Sequence, residues 1–182
     1  TATAAEPALA DDETTTPPTV ADGVRVAFLD AGAPWGTEIG ATPNGTRLEP
    51  ALVTRVKMLY DETKADLRHE EEWEAVLFPL TGEQADMDAA IAVDYDDRDL
   101  RSDPPTSARY VLGDAKLHTK TYFSKAKTDL RDRLYRGETL QLLHNAELKA
   151  YSRPDESRED FEQRCLRLAD DGADADADKL RQ

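Results

Sequence analysis

The stretch from Thr119 to Leu168 decides the fold: TKTYFSKAKTDLRDRLYRGETLQLLHNAELKAYSRPDESREDFEQRCLRL. It contains the longest helical rhythm in the chain, with apolar residues at i, i+3, i+7 and i+11 on one stripe. These residues are Phe123, Ala126, Leu130 and Leu134. A second helix is predicted to begin near Ser157, where apolar residues recur at i, i+4 and i+7. They are Phe161, Cys165 and Leu168.

Upstream of these helices the sequence predicts four strands. They are 24–30 (VRVAFLD), 55–62 (RVKMLYDE), 72–80 (EWEAVLFPL) and 108–112 (ARYVL). The polar connection TKADLRHEE makes the second and third strands an antiparallel hairpin. The third strand carries apolar residues on both faces, which predicts a central strand covered on two sides. The segment MDAAIAVDY fits either a short helix or a strand.

These elements predict an α+β fold over residues 23–168, in which a small antiparallel sheet of three to five strands packs against the C-terminal helices. The expected helix contacts are Phe123, Leu130, Leu134, Phe161 and Leu168, and the expected sheet contacts are Val26, Phe28, Val56, Met58, Trp73 and Leu77. Residues 1–22 contain almost no large apolar side chains and predict a disordered linker. Residues 169–182 predict a flexible acidic tail that frays or starts a helix or coiled coil.

Acidic residues dominate the composition, with 38 Asp and Glu against 23 Lys and Arg and a formal charge of −15. A field of this sign repels phosphate, which argues against generic binding to nucleic acid or to an anionic membrane. Two interpretations stay open: solubility in salt for a protein of an acidic proteome, and binding to a specific cationic partner.

The single cysteine, Cys165, excludes an intrachain disulfide framework and a multi-cysteine zinc site. Its place on an apolar stripe predicts a packed thiol. No run approaches the roughly 18 apolar residues of a membrane span, and no secretory signal is visible, so we expect a cytoplasmic protein without a membrane partner. The chain begins at Thr1 and not at Met, which suggests a piece of a longer protein.

No catalytic, cofactor or metal-binding set emerges from the motifs. Both common phosphate-binding loops are missing, and the run that begins at His69 lacks the second histidine of a zinc helix. The acidic run from Asp94 to Asp99 lacks the Gly and the terminal Glu of a calcium loop. Trp35 is interpreted as an anchor of its loop, with stacking on a ligand as the alternative.

One segment is basic in this acidic chain. Between Lys116 and Arg136 there are seven Lys/Arg against two Asp. One interpretation is a helix that pairs with acidic loops of its own domain; the other is contact with DNA phosphates or with an acidic partner subunit. The candidate contact residues are Lys120, Lys127, Arg131 and Arg136.

The C-terminal half also resembles a known family. The run LYRGETLQLLHNAELKAYSRPDESREDFEQRC, and above all its SRPxES element (Ser152 to Ser157), is similar to the C-terminal region of bacterial HerA/FtsK-type ATP-binding proteins. The hairpin segment, the Asp-Pro-Pro turn and the Ala/Pro/Thr-rich start are similar too, so the resemblance covers about residues 24–168. The chain lacks the Walker motifs that the motor of those proteins carries.

The resemblance implies a non-catalytic accessory domain that supports oligomerisation, partner docking or DNA engagement by an ATPase core of the same polypeptide. It implies a homo-oligomer in the full-length protein, and the acidic tail stops where a coiled coil would begin. The alternatives are a free-standing acidic adaptor and a small metal-dependent hydrolase that uses Asp or Glu clusters.

Overall fold

The computed structural model describes residues 8–111 and 113–181. The predicted linker, fourth strand and tail extend onto residues 1–7, 112 and 182, which lie outside this range. The strands are β1 (Glu13–Thr14), β2 (Phe28–Leu29), β3 (Arg47–Leu48), β4 (Leu52–Glu62), β5 (Leu67–Leu77), β6 (Ile91–Ala92), β7 (Leu100–Arg101), β8 (Arg109–Val111), β9 (His144–Asn145) and β10 (Ala150–Tyr151). The helices are α1 (Lys120–Gly137) and α2 (Arg158–Leu180). The predicted α+β class is confirmed.

The strands form several small sheets, where the sequence predicted one. Their orders are β1-β8-β3, β2-β7, β4-β5-β6 and β9-β10. The pairs with a resolved register are antiparallel except β3 with β8, which is parallel. Most strands have only two or three residues, because prolines, glycines and acidic turns interrupt the chain before a longer ladder can form.

The long hairpin of β4 and β5 was predicted, but with different bounds: β5 begins at Leu67 and ends at Leu77, where the sequence predicted a strand over 72–80. Glu62 accepts a hydrogen bond from the Lys64 backbone N–H (3.0 Å) at the turn, and Asp66 closes it at a φ of 48°, a left-handed conformation that Asp tolerates. A turn this short forces the two strands to run antiparallel. β5 is the central strand of its sheet and is fully buried at Ala75, Val76 and Leu77.

The chain divides into two compact units. Unit 1 contains Thr1–Val56 and Glu72–Gly137, and unit 2 contains Lys57–Glu71 and Glu138–Gln182. Helix α1 therefore belongs to unit 1 and helix α2 to unit 2. No helix in the described ranges combines the length and the apolar character that crossing a bilayer requires.

Trp35 lies at the centre of the core of unit 1. Its side chain is 3% exposed and clusters with Ile39, Val76 and Val93. The indole Nε1 donates to the Asp99 carboxylate at 2.9 Å, so the one polar atom of the ring is satisfied. The interpretation of Trp35 as an anchor is confirmed.

The N-terminal segment differs from the predicted linker over its described part. β1 pairs with β8, and the Glu13 side chain, only 3% exposed, accepts hydrogen bonds from Arg47 (3.0 Å) and Arg109 (3.1 Å). Because both arginines lie far along the chain, composition alone could not reveal this strand.

Helix α1 buries a stripe that differs from the predicted one by one residue. The buried residues are Tyr122, Ala126, Leu130 and Leu134. Phe123 is half-buried and packs edge-on against the Tyr122 ring, with 5.4 Å between ring centroids. The prediction was wrong here because Tyr122 stands one turn before Ala126, and its ring can bury despite the hydroxyl.

Helix α2 begins where the sequence predicted. The Ser157 hydroxyl accepts from the Asp160 N–H (3.1 Å) and donates to the Asp160 carboxylate (2.7 Å), which caps the first turn. Phe161 and Cys165 are buried, so the packed thiol is confirmed. Leu168 is 42% exposed, and its predicted burial was wrong because burial on this helix stops after the second turn.

Two further expectations are corrected. Val26 is 52% exposed, because the predicted strand 24–30 is reduced to the two residues of β2. The tail was predicted either to fray or to start a helix or coiled coil. Its described part is helical, since α2 continues to Leu180. Its alanines favour helix and no proline follows Pro154.

A candidate binding surface on helix α1

Helix α1 is fixed at its start by Thr119. The Thr119 hydroxyl accepts from the Tyr122 N–H (3.4 Å) and donates to the Lys116 carbonyl (2.8 Å). The helix carries six Lys/Arg against two Asp, all outside the buried stripe. The apolar side of the helix therefore packs within unit 1, and its Lys and Arg residues lie outside the buried stripe.

Some of the predicted basic segment does pair with its own unit. Lys116 lies 3.3 Å from Glu83, and Lys125 lies 2.9 Å from Asp129 one turn along the helix. Arg133 donates to the Met87 carbonyl and stacks over the Trp73 ring, with the guanidinium carbon 5.8 Å from the ring centroid. For these cations the interpretation as internal pairing is correct.

Three of the four predicted contact residues share one side of the helix. Lys120, Lys127 and Arg131 are spaced at i, i+7 and i+11, which brings them within about 40° of one another around the axis. They extend over about 16 Å along it at 1.5 Å per residue. All three are exposed. We call these three residues the basic face.

The fourth, Arg136, does not belong to the basic face. Its position is about 140° or more from those three around the helix. Its Nε donates to the Asp132 carbonyl at 2.9 Å, so it satisfies the end of its own helix. The segment from 116 to 136 therefore contains two groups of cations with different contacts.

The basic face has few ionic contacts. Among the described residues Lys120 and Lys127 form no salt bridge, and Arg131 has only its neighbour Asp132, at 3.0 Å and exposed. By contrast, Arg47 contacts three carboxylates and Arg55 another three. These are Asp12, Glu13 and Glu49 for Arg47, and Glu72, Glu74 and Asp97 for Arg55.

The acidic run at 94–99 has a structural use. Asp96 accepts from the Arg98 N–H (2.9 Å), and the Asp99 carboxylate accepts from the Asp96 N–H (3.0 Å) as well as from Trp35. Hydrogen bonds from the Arg98 side chain and backbone lower the pKa of Asp96 to about 2. Within the described ranges no three His, Cys, Asp or Glu side chains gather in a way that could hold a metal ion.

The histidines also have local contacts. His69 lies 3.1 Å from the Glu71 carboxylate, and His144 stacks on Tyr151 with 4.2 Å between ring centroids. His118 lines a shallow cleft of about 510 Å³ in unit 1 whose other lining residues are mostly apolar.

Two features of the surface were missed from the sequence. Tyr135 is 89% exposed, one turn beyond Arg131 on the same exposed half of α1. Leu59 is 51% exposed on the otherwise polar face of β4. The signal for Leu59 was present, because it falls out of phase with Val56, Met58 and Tyr60 in the alternation of the strand.

Comparison of the chain with protein-family models, with curated proteins and with solved structures gave no match.

Proposed function

We propose that this chain is a non-catalytic interaction domain that docks a partner through the basic face of α1. In the form that the family resemblance implies, it is the C-terminal accessory domain of a HerA-like ATP-binding protein and supports assembly of that protein. One observation carries the proposal: Lys120, Lys127 and Arg131 lie exposed on one side of α1, and among the described residues neither lysine forms a salt bridge.

The chemistry of the face indicates what it binds. The packed helix fixes the backbone positions of three cations on one side, so a partner can present carboxylates to all three at once. The cations also attract carboxylates of a partner, whereas the acidic remainder of the surface repels them. An acidic partner surface is therefore the expected ligand.

Physical argument favours a protein over DNA. A duplex carries one negative charge per about 1.7 Å of axis, so a chain whose net charge is −15 repels it. An acidic patch on a protein is local and needs to approach only the basic face. Repulsion from the rest of the chain is screened beyond roughly 10 Å at 0.1 M salt.

The test is charge reversal of the basic face in the full-length native protein. The triple variant Lys120→Glu, Lys127→Glu and Arg131→Glu should weaken assembly or partner binding by roughly tenfold or more, with a smaller loss at high salt. Assembly is read by light scattering after size exclusion, and DNA binding by fluorescence anisotropy.

A matched control carries the same change of charge elsewhere. The control variant Arg25→Glu, Arg158→Glu and Arg167→Glu alters three exposed cations outside the basic face. It should leave assembly close to wild type. Equal behaviour of the two variants, or no effect of the first on either assembly or DNA binding, overturns the proposal; a loss of DNA binding alone assigns the face to phosphate.

The native mass tests the ATPase form of the proposal. An antibody raised to this domain should detect, in its source, a band several times larger than 20.2 kDa. Copurifying ATPase activity would support the accessory role. A band at the mass of this chain overturns that role and favours the free-standing adaptor.

A further inference from the structure

An exposed aromatic residue stands beside the basic face. Tyr135 is 89% exposed near the C-terminal end of α1, and Arg131 is the residue one turn before it. Exposure of a ring on this scale leaves a large apolar area in water, and Tyr and Arg are among the residue types enriched at binding hot spots. Nothing in the packing of unit 1 requires a ring at this position.

Unit 2 contains a groove of matching chemistry. It has a volume of about 410 Å³ and its floor is mainly apolar. The apolar and aromatic residues of the floor are Leu59, Tyr60, Ala65, Leu67, Leu140, Leu142 and Tyr151. Asp61 and Glu62 complete the lining, and both are exposed. A groove of this size accepts one or two anchoring side chains.

The surroundings of the groove are negative. From 57 to 71 the hairpin tip has five acidic residues against three basic ones. The pKa of Tyr60 is raised by burial first, and then by the charges of Glu71 and Glu138. A cation that follows an apolar side chain into the groove therefore meets a favourable potential.

We propose that Tyr135 and the basic face of one copy of this chain bind the groove of unit 2 in a second copy. The Tyr135 ring lies in the apolar floor, and Arg131 and Lys127 reach Asp61 and Glu62 on its rim. This inference rests on the proposed function, since it assigns the partner of the basic face. A second copy fits because the chain itself presents both a basic helix with an exposed ring and an apolar groove with acidic surroundings.

The contact is heterologous, since it joins two different surfaces of identical chains. Such contacts build rings when the rotation between copies closes and open filaments when it does not. An ATPase that assembles through an accessory domain of this kind would gain a directional subunit contact.

Two opposite variants test the contact in the full-length protein. The face variant carries Lys120→Glu, Lys127→Glu and Arg131→Glu, and the groove variant carries Asp61→Lys and Glu62→Lys. Each alone should weaken self-association by roughly tenfold or more in sedimentation velocity at about 0.1 M salt. Mixed, they should associate again, because the reversed helix of one fits the reversed groove of the other and the unchanged surfaces fit as before.

Two further variants test the contact if the face or groove variant fails to fold. Asp61→Lys alone keeps the hydrogen bond of Glu62 at the turn, and Tyr135→Ala changes only an exposed side chain. Both should keep the wild-type circular dichroism spectrum. Tyr135→Ala should weaken self-association by roughly tenfold or more, in the range of an interface hot spot.

The outcomes separate this inference from the proposed function. A wild-type protein that stays monomeric at every concentration, or mixed variants that fail to associate, overturn the inference. If the face variant no longer binds a different protein but self-associates as before, the inference is overturned and the proposed function stands. A face variant that keeps every interaction overturns both.

Discussion

At the scale of single residues, Glu156 and Arg164 form a bidentate ion pair in unit 2. The two guanidinium N–H groups donate to the two carboxylate oxygens at 2.8 and 2.7 Å, and Arg164 also donates to the Tyr151 carbonyl at 2.7 Å. Glu156 accepts from the Arg153 N–H as well, at 2.9 Å. The side chain of Glu156 is 11% exposed, so the pair is shielded from water.

The SRPxES element thus has a structural use of its own. The Ser152 hydroxyl, which is buried, accepts from the Leu143 N–H at 2.8 Å. Glu156 holds Arg164, and Ser157 caps α2. The polar residues of the motif fasten the β9–β10 segment to the second helix.

Replacement of Glu156 by Gln should lower the melting temperature by roughly 5 °C or more at neutral pH. The hydrogen bonds from Arg164 and then from the Arg153 backbone lower the pKa of Glu156 from 4.5 to about 2. A lowered folded-state pKa stabilises the fold above pH 4.5, and this contribution is lost as the pH falls towards 2. The difference in the free energy of unfolding between wild type and Glu156→Gln should therefore narrow as the pH falls from 4.5 towards 2. Urea unfolding at a series of pH values measures this difference.

The control is Glu162→Gln, which removes a carboxylate that is 63% exposed and lies 3.8 Å from Arg158. Exposed pairs of this kind contribute little, so its melting temperature should stay near wild type. A difference for Glu156→Gln that stays constant from pH 7 to pH 2 would contradict the ionic explanation.

At the scale of the secondary-structure element, the two helices differ in how they are held. α1 buries a residue in each of four successive turns, whereas α2 buries only Phe161 and Cys165 near its start. Residues 166–181 are almost entirely exposed, and they include Gly172 and five Asp. The last turns of α2 therefore rely on helix propensity and on exposed ion pairs such as Lys179–Asp176.

Removal of residues 170–182 should leave the melting temperature of the remaining chain unchanged within about 2 °C, because no buried side chain is lost. Helical content by circular dichroism should fall by the share of the deleted turns. The matched variant Phe161→Ala, which keeps the full length, should instead lower stability by about 3–5 kcal/mol. A large loss of stability on truncation would show that the end of α2 packs on something.

At the scale of the whole molecule, charge governs the response to salt. Acidic side chains surround single arginines, as at Arg47 and Arg55, and the net charge is −15. Screening weakens the excess repulsion more than it weakens the few pairs that are partly buried.

The melting temperature should therefore rise between about 0.1 and 1 M KCl, as the Debye length falls from about 10 to 3 Å. Sodium and potassium chlorides should act alike, since the effect is screening and not specific binding. A fall in melting temperature over this range would show that attractive pairs dominate the surface.

Local pattern by itself determined the α+β class, the β4–β5 hairpin, the central position of β5, the start of α2 at Ser157 and the basic character of α1. Each of these follows from alternation, helical spacing or a cap, all of which act over a few residues. Lys120, Lys127 and Arg131 lie on one side of α1, and their contact with a partner stays a prediction.

Only the tertiary structure decided which charges are paired and which side chains are buried. Glu13 joins Arg47 and Arg109 across the fold, and Tyr122 takes the place in the core that spacing assigned to Phe123. The exposure of Tyr135 and the groove beside Leu59 also depend on residues distant in sequence. The physical reason is that pairing and burial are set by which surfaces meet in space, and periodicity records only which side of an element a residue occupies.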